Sequence, residues 1–428
     1  MREMKDSGIE WIGNIPATWE RCKIKNVISS IGSGTTPTSS NIDYYNSEDI
    51  CWIQSGDLYK TSYISNTAVS LSAKALHLSA LQIYTAPFIV VAMYGASVGN
   101  IAISTIDACS NQACCCIKPD NNNDLKFMYY WLSMCKIDFL SQSIGGGQPN
   151  ISQSKIKNQF YYHPQLSEQK VIANFLDSKC SEIDAISADI QKEIEVLVQY
   201  KRSVITEAVT KGLNPDAEMK DSGVAWCPQI PSHWQYSNPK GLFGLRTDRA
   251  FRDDRQLTAS QEYGIVYQDE YMEKTGNKVV TVTKDFSILK HVEPDDFVIS
   301  MRSFQGGLEY SDKRGCISSA YVMLIPNKEF VYAPFYRWFF KSSKYINALQ
   351  STSNLVRDGQ AMRYANFVKV PLFIVPIEEQ KAIASYLDEK IEKVNSILAE
   401  KKKQLEILSN YKKSLIYEYV TGKKEVLT

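Results

Sequence analysis

The chain of 428 residues contains no apolar run that approaches the ~18 residues of a membrane-spanning helix. Its opening, MREMKDSGIEW, is polar where a secretory signal peptide would be apolar. The formal net charge is only +1, so the chain lacks the overall positive charge of proteins that bind nucleic acid by bulk electrostatics. These absences predict a cytoplasmic protein without a membrane partner, in which any nucleic-acid binding comes from local patches.

Cysteine and histidine show no metal-ligand pattern. The ten cysteines form no paired Cys-x-x-Cys spacing, and three of them are adjacent at residues 114–116. We expect reduced, structural thiols rather than a disulfide framework or a zinc site. The four histidines, His77, His163, His233 and His291, are scattered along the chain. The sequence therefore predicts no metal site.

Catalytic motifs are also missing. There is no phosphate-binding loop, no Gly-x-Gly-x-x-Gly and no His-Glu-x-x-His. The string PDAEMK at residues 215–220 superficially resembles part of a nuclease site, but its acidic residues are too close together to lie on two strands. The pairs Asp253–Asp254 and Asp295–Asp296 could act as general acid and base, although solvated turns are the better interpretation. The sequence thus predicts a binding protein with no catalytic residues.

What the sequence does contain is a repeat. The opening MKDSGIEWIGNIPATWE, residues 4–20, returns as MKDSGVAWCPQIPSHWQ at residues 219–235. The segment EQKVIANFLDSK, residues 168–179, returns 211 residues later as EQKAIASYLDEK, residues 379–390. The length alone favours two or more domains. Together these observations predict two similar halves with approximate internal two-fold symmetry.

Each EQK segment leads into an apolar stripe with spacings of three and four. Such a stripe lies along one side of a helix, and about 27 residues rise ~40 Å. Packing the two helices as an antiparallel coiled coil would bury both stripes, and two ordinary core helices are the alternative. Lys201 and Lys412 interrupt the stripes at the same point. The predicted packing residues are Ile183, Ile186, Ile190, Ile194, Leu197 and Val204 on the first helix, and Val394, Ile397, Leu405, Leu408 and Leu415 on the second.

Two blocks, residues 22–162 and 236–373, lie between the repeated segments. Their sequences scarcely match, yet both predict the same order: apolar strand, glycine turn, second strand, amphipathic helix, polar loop and short strand. The predicted fold class is α+β, with two globular domains separated by two long antiparallel α-helices. The predicted parts are the first domain with its opening segment (1–162), the first long helix (163–213), the linker and second domain (214–373) and the second long helix (374–428).

The polar loops of both blocks combine glycine with Gln, Asn, Ser, Thr and Tyr, and in the second block also with Arg. These side-chain types read base edges and contact phosphates. For each residue alone a solvated or turn-forming role is the simpler interpretation, but as a set they favour a DNA-groove reader. The candidate DNA-binding residues are Thr36, Tyr94, Gln112, Gln148 and Asn150 in the first block, and Arg246, Arg302, Gln305, Tyr321, Arg357 and Arg363 in the second.

The ordered combination of motifs resembles the specificity subunit of Type I restriction-modification enzymes. The motifs are the doubled MKDSG opening, the EQK segments, AMYGASVGN at residues 92–100 and GGGQPNIS at residues 145–152. The resemblance covers essentially the whole chain. It implies a non-catalytic subunit whose two domains each read one half of a bipartite target in double-stranded DNA.

The resemblance also implies partners. The paired helices would set the spacer between the half-sites and dock two methyltransferase subunits, and motor-nuclease subunits would join the assembly. S-adenosylmethionine, ATP and Mg are expected in those partner subunits, and no cofactor is expected on this chain. The EQK segments would be either helix-start residues or partner contacts. The alternative functions are a stand-alone DNA methyltransferase or nuclease, and a scaffold that grips proteins.

Overall fold

The structure is a computed structural model that describes residues 2–59, 61–79, 81–141, 150–282, 286–300, 303–352 and 363–426. The chain divides into two compact modules. The first module comprises Met1–Ile190 and Gln404–Thr428, and the second comprises Gln191–Lys403. Among the described residues, no helix combines the length and the apolarity that a membrane crossing requires.

The first module contains short strands, short helices and the start of a long helix, α5 (Leu166–Lys211), called the first long helix below. Its strands are β1 (Met4–Asp6), β2 (Asn14–Pro16), β3 (Glu20–Lys23), β4 (Ile28–Ser33), β5 (Tyr45–Ile53), β6 (Tyr63–Ile64), β7 (Ser70–Leu71), β8 (Phe88–Ala92), β9 (Ile101–Ser104), β10 (Ala108–Ser110), β11 (Cys114–Pro119) and β12 (Phe160–His163). Its short helices are α1 (Ala73–Leu78), α2 (Leu125–Met134), α3 (Lys136–Ser141) and α4 (Gln153–Asn158).

The main sheet of the first module has the strand order β4-β11-β8-β9-β6. Neighbouring strands are antiparallel except that β6 runs parallel to β9. All five residues of β8, FIVVA, are buried, which explains its continuous apolar sequence. Helix α2 contributes Phe127 and Trp131 to the core, where they contact Tyr161 edge to face. This aromatic contact fixes the helix on one side of the sheet.

The second module is built in the same way and contains most of the other long helix, α12 (Ile377–Val420), called the second long helix below. Its strands are β13 (Met219–Asp221), β14 (Gln229–Pro231), β15 (Gln235–Ser237), β16 (Phe243–Arg246), β17 (Leu257–Ser260), β18 (Gly264–Tyr267), β19 (Lys290–Val292), β20 (Phe297–Ile299), β21 (Glu309–Tyr310), β22 (Gly315–Ile317), β23 (Val322–Pro326) and β24 (Leu372–Ile374). Its short helices are α6 (Pro239–Leu242), α7 (Gln268–Thr275), α8 (Ser303–Gly306), α9 (Ala333–Phe339), α10 (Ser343–Ser351) and α11 (Tyr364–Phe367).

The main sheet of the second module repeats the first despite the unmatched sequence. Its order, β16-β23-β20-β21, corresponds to β4-β11-β8-β9, and every neighbouring pair is antiparallel. Helix α9 packs on it through Phe335, Tyr336 and Phe339, which are fully buried. The internal repeat predicted from the sequence therefore extends through the blocks as a repeat of fold.

The two ends of each block meet in a pair of strands. In the first module β3 and β12 are antiparallel, with Glu20 opposite His163. In the second module β15 and β24 pair in the same way, with Gln235 opposite Ile374. Each block is consequently closed on itself, and its first and last residues lie side by side.

The repeated opening forms a small hairpin that covers the end of a long helix. In the first module β1 pairs with β2, and the Tyr417 hydroxyl at the end of the second long helix donates to the carbonyls of Trp11 and Ile12. In the second module β13 pairs with β14, and the end of the first long helix shares a core with that hairpin through Ala208 and Val209. The opening occurs twice because each module needs one such cover.

The two long helices pair antiparallel, as predicted, within each module. As the residue number of the contacting side chain increases along the first helix, the number of its partner on the second helix decreases. The contacts join Phe175 to Tyr419 and Asp184 to Lys412 in the first module, and Glu193 to Lys401 and Lys201 to Asn395 in the second. The distances from the lysine Nζ atoms to their partner oxygens are 2.6 to 2.7 Å.

The buried seam follows steps of four and three, the heptad pattern of a coiled coil. Its positions on the first helix are Leu176, Cys180, Ile183, Ser187, Ile190, Ile194, Leu197, Lys201, Val204 and Ala208, all buried or half-buried. On the second helix they are Leu387, Ile391, Val394, Leu398, Lys401, Leu405, Leu408, Lys412, Leu415 and Tyr419, also buried or half-buried. The two sets match position by position at the 211-residue offset.

Two predicted packing residues lie outside this seam. Ile186 and Ile397 remain 51% and 44% exposed, so their assignment to helix packing was wrong. The seam passes through the next residue in each helix, Ser187 and Leu398. Each residue advances about 100° around a helix, which moves Ile186 and Ile397 onto the flank. The other predicted packing residues are seam residues.

The lysines that interrupt the apolar stripes occupy seam positions, and their ammonium groups extend to polar side chains of the partner helix. Lys201 bonds to the Asn395 side chain, and Lys412 bonds to both oxygens of Asp184. These are the same contact at the 211-residue offset. Burial, followed by the charge of Lys402, lowers the pKa of Lys201. Both long stems therefore pack in the seam while the ammonium groups reach polar partners at its border.

The glutamines of the EQK segments are structural. Gln169 and Gln380 are fully buried. The Gln169 side chain accepts from the backbone N–H of Asp124 at 2.9 Å and donates to the carbonyl of Pro164 at 2.9 Å. Gln380 accepts from the N–H of Tyr332 at 2.8 Å and donates to the carbonyl of Val375 at 2.7 Å. Each glutamine thus ties its long helix to the residue before α2 or α9.

Replacing either glutamine with leucine is expected to destabilise its module. The substitution keeps the side-chain volume but leaves a buried N–H and a buried carbonyl without a partner, at about 1–3 kcal/mol for each orphaned group. Urea unfolding of Gln169→Leu and Gln380→Leu would measure this loss. Lys170→Leu, an exposed neighbour in the same segment, is the matched control. Equal stability of all three variants would contradict the structural role.

Candidate nucleic-acid interface

One end of the main sheet gathers three candidate residues of the first module. Because β11 is antiparallel to β4 and β8, the ends of β4 and β8 lie beside the start of β11. Thr36 follows β4, Tyr94 follows β8 and Gln112 precedes β11. These three residues, distant in sequence, therefore come to the same end of the sheet.

Direct contacts confirm that the loops at this end are joined. The Thr36 hydroxyl donates to Gln112 Oε1 at 2.5 Å. Tyr94 forms an isolated antiparallel bridge with Asn150, and the N–H of Ile151 bonds to the carbonyl of Met93 at 2.9 Å. Thr36, Tyr94, Gln112 and Asn150 are all exposed. They form what we call the first polar surface, with hydroxyl and amide groups available to base edges or phosphates.

Gly34 makes the approach of these loops possible. Its N–H bonds to the Ser110 hydroxyl at 3.1 Å, and a Cβ at this position would lie 1.5 Å from the Ser110 carbonyl oxygen. Any side chain would push the loop away from β10. The glycine therefore determines where Thr36 sits relative to Gln112.

The same end of the second module's sheet carries different side chains. Tyr321 precedes β23 and Gln305 lies in α8, just after β20, so these two candidates correspond in place to Gln112 and Tyr94. Gln305 is exposed and Tyr321 is half-buried. The shared geometry with unlike side chains suits two modules that contact different partners or sequences.

Arg246 occupies this end but is engaged within the protein. Its guanidinium donates two bonds to Asp296, at 2.6 and 3.0 Å, and a third to Asp248 at 3.1 Å. Burial raises the pKa of the Asp296 carboxyl, while Arg246 opposes that rise. Removing the arginine would leave the buried Asp296 carboxyl without its cationic partner. We therefore assign Arg246 to the structure of the module and drop it as a base-contacting residue.

The remaining candidates are placed differently. Arg363 is exposed at the start of α11, where its backbone N–H bonds to the Asn366 side chain. Gln148, Arg302 and Arg357 lie outside the described residues.

The prediction missed a basic cluster in the second module. Arg249 pairs with Lys290 in an isolated antiparallel bridge, and Lys290 Nζ bonds to the carbonyl of Tyr321 at 2.6 Å. Burial, followed by the charge of Arg249, lowers the pKa of Lys290. Arg249, Lys290 and Tyr321 form what we call the second polar surface. The available signal was the string RTDRAFRDDR, residues 246–255, with an arginine at every third position.

A hydrogen-bonded cluster around a buried histidine anchors the segment that carries Arg249. His291 is 1% exposed, and its ring nitrogens lie 2.7 Å from Asp254 Oδ2 and 2.7 Å from Glu293 Oε1. Phe251 packs against the imidazole, with ring centroids 4.3 Å apart. Among the described residues, no group of His, Cys, Asp and Glu is arranged to hold a metal ion. The contacts of His291 with Asp254 and Phe251 hold this segment in place.

Comparison with known proteins identifies the family to which this sequence is similar. The sequence matches the family described as Type I restriction modification DNA specificity domain twice, over residues 16–196 and 231–407. The chain belongs to this family. The two matches each contain one block and reach into the following long helix, in agreement with the repeated fold.

Individual relatives agree with the family. A putative type I restriction enzyme MjaX specificity subunit from Methanocaldococcus jannaschii is 26% identical over 299 residues, covering 66% of this chain and 63% of that protein. The MjaIX specificity subunit from the same organism is 29% identical over 190 residues, covering 44% of this chain and 42% of that protein. The chain thus matches about two fifths to three fifths of the length of these relatives.

One solved structure shares the fold of this specificity-domain chain. It comes from work on complex assembly and conformational transition of the type I R-M system, and it aligns with a TM-score of 0.68 at 12% identity. The alignment covers 96% of this chain and 99% of the other. At this identity the likeness concerns the fold.

Proposed function

We propose that this chain is the sequence-specific DNA recognition subunit of a type I restriction-modification complex, with one half of a bipartite target read by each module. The observation that carries the proposal is the matched end of the two main sheets. Each end carries polar side chains at three corresponding places, but the residues differ between the modules. The residues are Thr36, Tyr94 and Gln112 in the first module and Arg249, Gln305 and Tyr321 in the second. Relatives named as specificity subunits support the same function.

The chain itself is proposed to be non-catalytic. Its polar surfaces offer amides, hydroxyls and cations, which suit recognition of bases and phosphates. Methylation and cleavage would be performed by partners, namely two methyltransferase subunits and motor-nuclease subunits. S-adenosylmethionine, ATP and Mg would be held by those partners.

Two modules are needed for the required specificity. One good bidentate contact discriminates by about 1–3 kcal/mol, so a few contacts from one module do not select one site among ~10⁶ competitors. Joining two readers through the paired helices raises the effective concentration of the second reader at its half-site. A bipartite target follows from this arrangement.

Gln112→Ala is expected to weaken recognition of one base pair in one half-site. The expected loss is about 1–3 kcal/mol, or roughly 5- to 150-fold in Kd for the target, with little change for unrelated DNA. The assay is a gel shift with the methyltransferase complex, on the target identified by sequencing modified adenines. Asn121→Ala is the control, because Asn121 is exposed just beyond the opposite end of β11.

Arg249→Ala provides a contrasting measurement in the second module. A lost phosphate contact weakens all DNA about equally and reduces the salt dependence of binding by about one unit of slope. Binding that shows no sequence dependence in the wild-type complex would contradict the proposal and favour a protein scaffold.

A further inference from the structure

The second module contains a cavity of about 720 Å³. It is lined by the first long helix, the turn between β17 and β18, strand β21, helix α9 and the second long helix. Its described lining residues all fall within the second module. Pockets that bind small molecules have volumes of about 300–1,000 Å³. The volume of this cavity therefore suits a small organic molecule.

The internal repeat shows that one negative charge is missing from this cavity. In the first module Lys412 Nζ bonds to both oxygens of the Asp184 carboxylate, at 2.7 and 2.6 Å. At the 211-residue offset the corresponding pair is Lys201 and Asn395, which both line the cavity. Lys201 Nζ bonds there to a neutral amide oxygen, Asn395 Oδ1, at 2.7 Å. The second module thus keeps the ammonium group and replaces its carboxylate partner at the place where the cavity lies.

Further cationic groups line the cavity beside Lys201. Arg202 follows it on the first long helix. Arg337 on α9 pairs with Asp388 through one terminal nitrogen, but its Nε is buried and has no acceptor among the described residues. Burial, followed by the charge of Lys402, lowers the pKa of Lys201, and a bound anion would oppose that shift. Ammonium and guanidinium groups together form a donor set that suits a phosphate.

The carboxylates in the lining already have partners of their own. Glu309 pairs with Lys341, with Nζ and Oε1 2.6 Å apart. Asp312 pairs with Lys313 at 3.4 Å. The carboxylate of Glu262 accepts from the Tyr263 hydroxyl. These acidic groups therefore do not replace the carboxylate that Lys201 lacks.

Aromatic side chains form another part of the lining. Tyr263, Tyr310 and Trp338 are half-buried and border the cavity. Aromatic rings of this kind stack with nucleobases irrespective of base identity. A DNA duplex, whose major groove alone is about 12 Å wide, is too broad for a cavity of this volume. The combination of cations and aromatic rings therefore favours a single small nucleotide.

We propose that the cavity binds a nucleoside monophosphate, with the phosphate at Lys201 and Arg202 and the base against the aromatic side chains. The phosphate supplies the negative charge that Asp184 supplies in the first module. The described lining residues include no member of either polar surface. The site is therefore separate from the surfaces proposed to read DNA.

The test is isothermal titration calorimetry of the full chain with the 5′-monophosphates of adenosine, guanosine, cytidine and uridine. The four nucleosides and inorganic phosphate, titrated alone, separate the contributions of base and phosphate. Asn395→Asp rebuilds the ion pair of the first module inside the cavity, and Lys201→Met removes the ammonium group but keeps an unbranched stem. Lys412→Met, the same change at the equivalent position of the first module, is the matched control. Thermal unfolding of each variant shows that it is folded.

The wild-type chain should bind at least one of the four nucleotides at one site per chain, with the matching nucleoside and inorganic phosphate each at least 10-fold weaker. Asn395→Asp and Lys201→Met should each weaken the nucleotide at least 10-fold, and Lys412→Met should leave its affinity unchanged.

Failure of all four nucleotides to bind would overturn the site and leave the DNA-recognition function intact. Equal affinity of the wild type and Asn395→Asp would also overturn it, because the added carboxylate occupies the place of the phosphate. Inorganic phosphate that binds as tightly as the nucleotide would refute the role of the aromatic side chains. Displacement of the nucleotide by duplex DNA, one for one, would assign these cations to the DNA interface instead.

Discussion

Exchange of residues 22–162 for the corresponding block of another family member is expected to change one half of the methylated sequence completely. The other half and the spacer should remain as they are. Sequencing of modified adenines in cells that carry the hybrid and its methyltransferase partner would show the change directly.

The structure gives the physical reason for this independence. The block begins and ends in the paired strands β3 and β12, so a foreign block can enter without altering the path of the chain on either side. The opening hairpin and the end of the second long helix, on which the block packs, remain in place.

Exchange of residues 236–373 is the matched experiment, because β15 and β24 close the second block in the same way. It should change only the half that the first exchange leaves intact. Simultaneous change of both halves in either hybrid would show that the modules do not read DNA separately. A hybrid that fails to fold would be recognised by loss of its cooperative unfolding transition.

Insertion of one heptad into both long helices is expected to lengthen the preferred spacer by about three base pairs. Seven residues add about 10.5 Å of helix, and base pairs rise about 3.4 Å each along DNA. The facing insertion points are next to Glu193 and Lys401, which form an ion pair at 2.6 Å. Insertion of a full heptad in both helices keeps the a and d positions in phase.

A heptad inserted into only one helix is the control for this experiment. It displaces one half of the seam against its partner and should abolish target modification rather than lengthen the spacer. Methylation mapped on DNA containing random spacers would distinguish the two outcomes. If the double insertion left the spacer unaltered, the helices would not be the element that sets it.

The internal repeat shows which parts of the fold can be predicted from the sequence. The doubled opening, the EQK segments and the strand-helix order predicted two α+β modules and an antiparallel helix pair, since apolar periodicity directly reflects which face of an element is buried. Ile186 and Ile397 show the limit of that reasoning. A spacing of three and four fits more than one neighbouring stripe, and only contact with the partner helix selects Ser187 and Leu398 instead.

The candidate surfaces show a different limit. Residue type suggested Thr36, Gln112 and Tyr94 as candidate DNA-binding residues, but their proximity depends on β11 lying antiparallel between β4 and β8. Residue type also suggested Arg246, whose guanidinium is occupied by Asp296. A one-dimensional pattern does not reveal which partner a long side chain meets.

The sequence alone determined that this protein has two related halves, long amphipathic helices and no recognisable catalytic motif, because periodicity and repetition are properties of the chain itself. The tertiary structure alone decided which glutamines are buried, which arginines are occupied and which apolar residues face outward. Those outcomes depend on groups far apart in sequence that compete for the same hydrogen bonds and the same buried surface, and folding settles that competition.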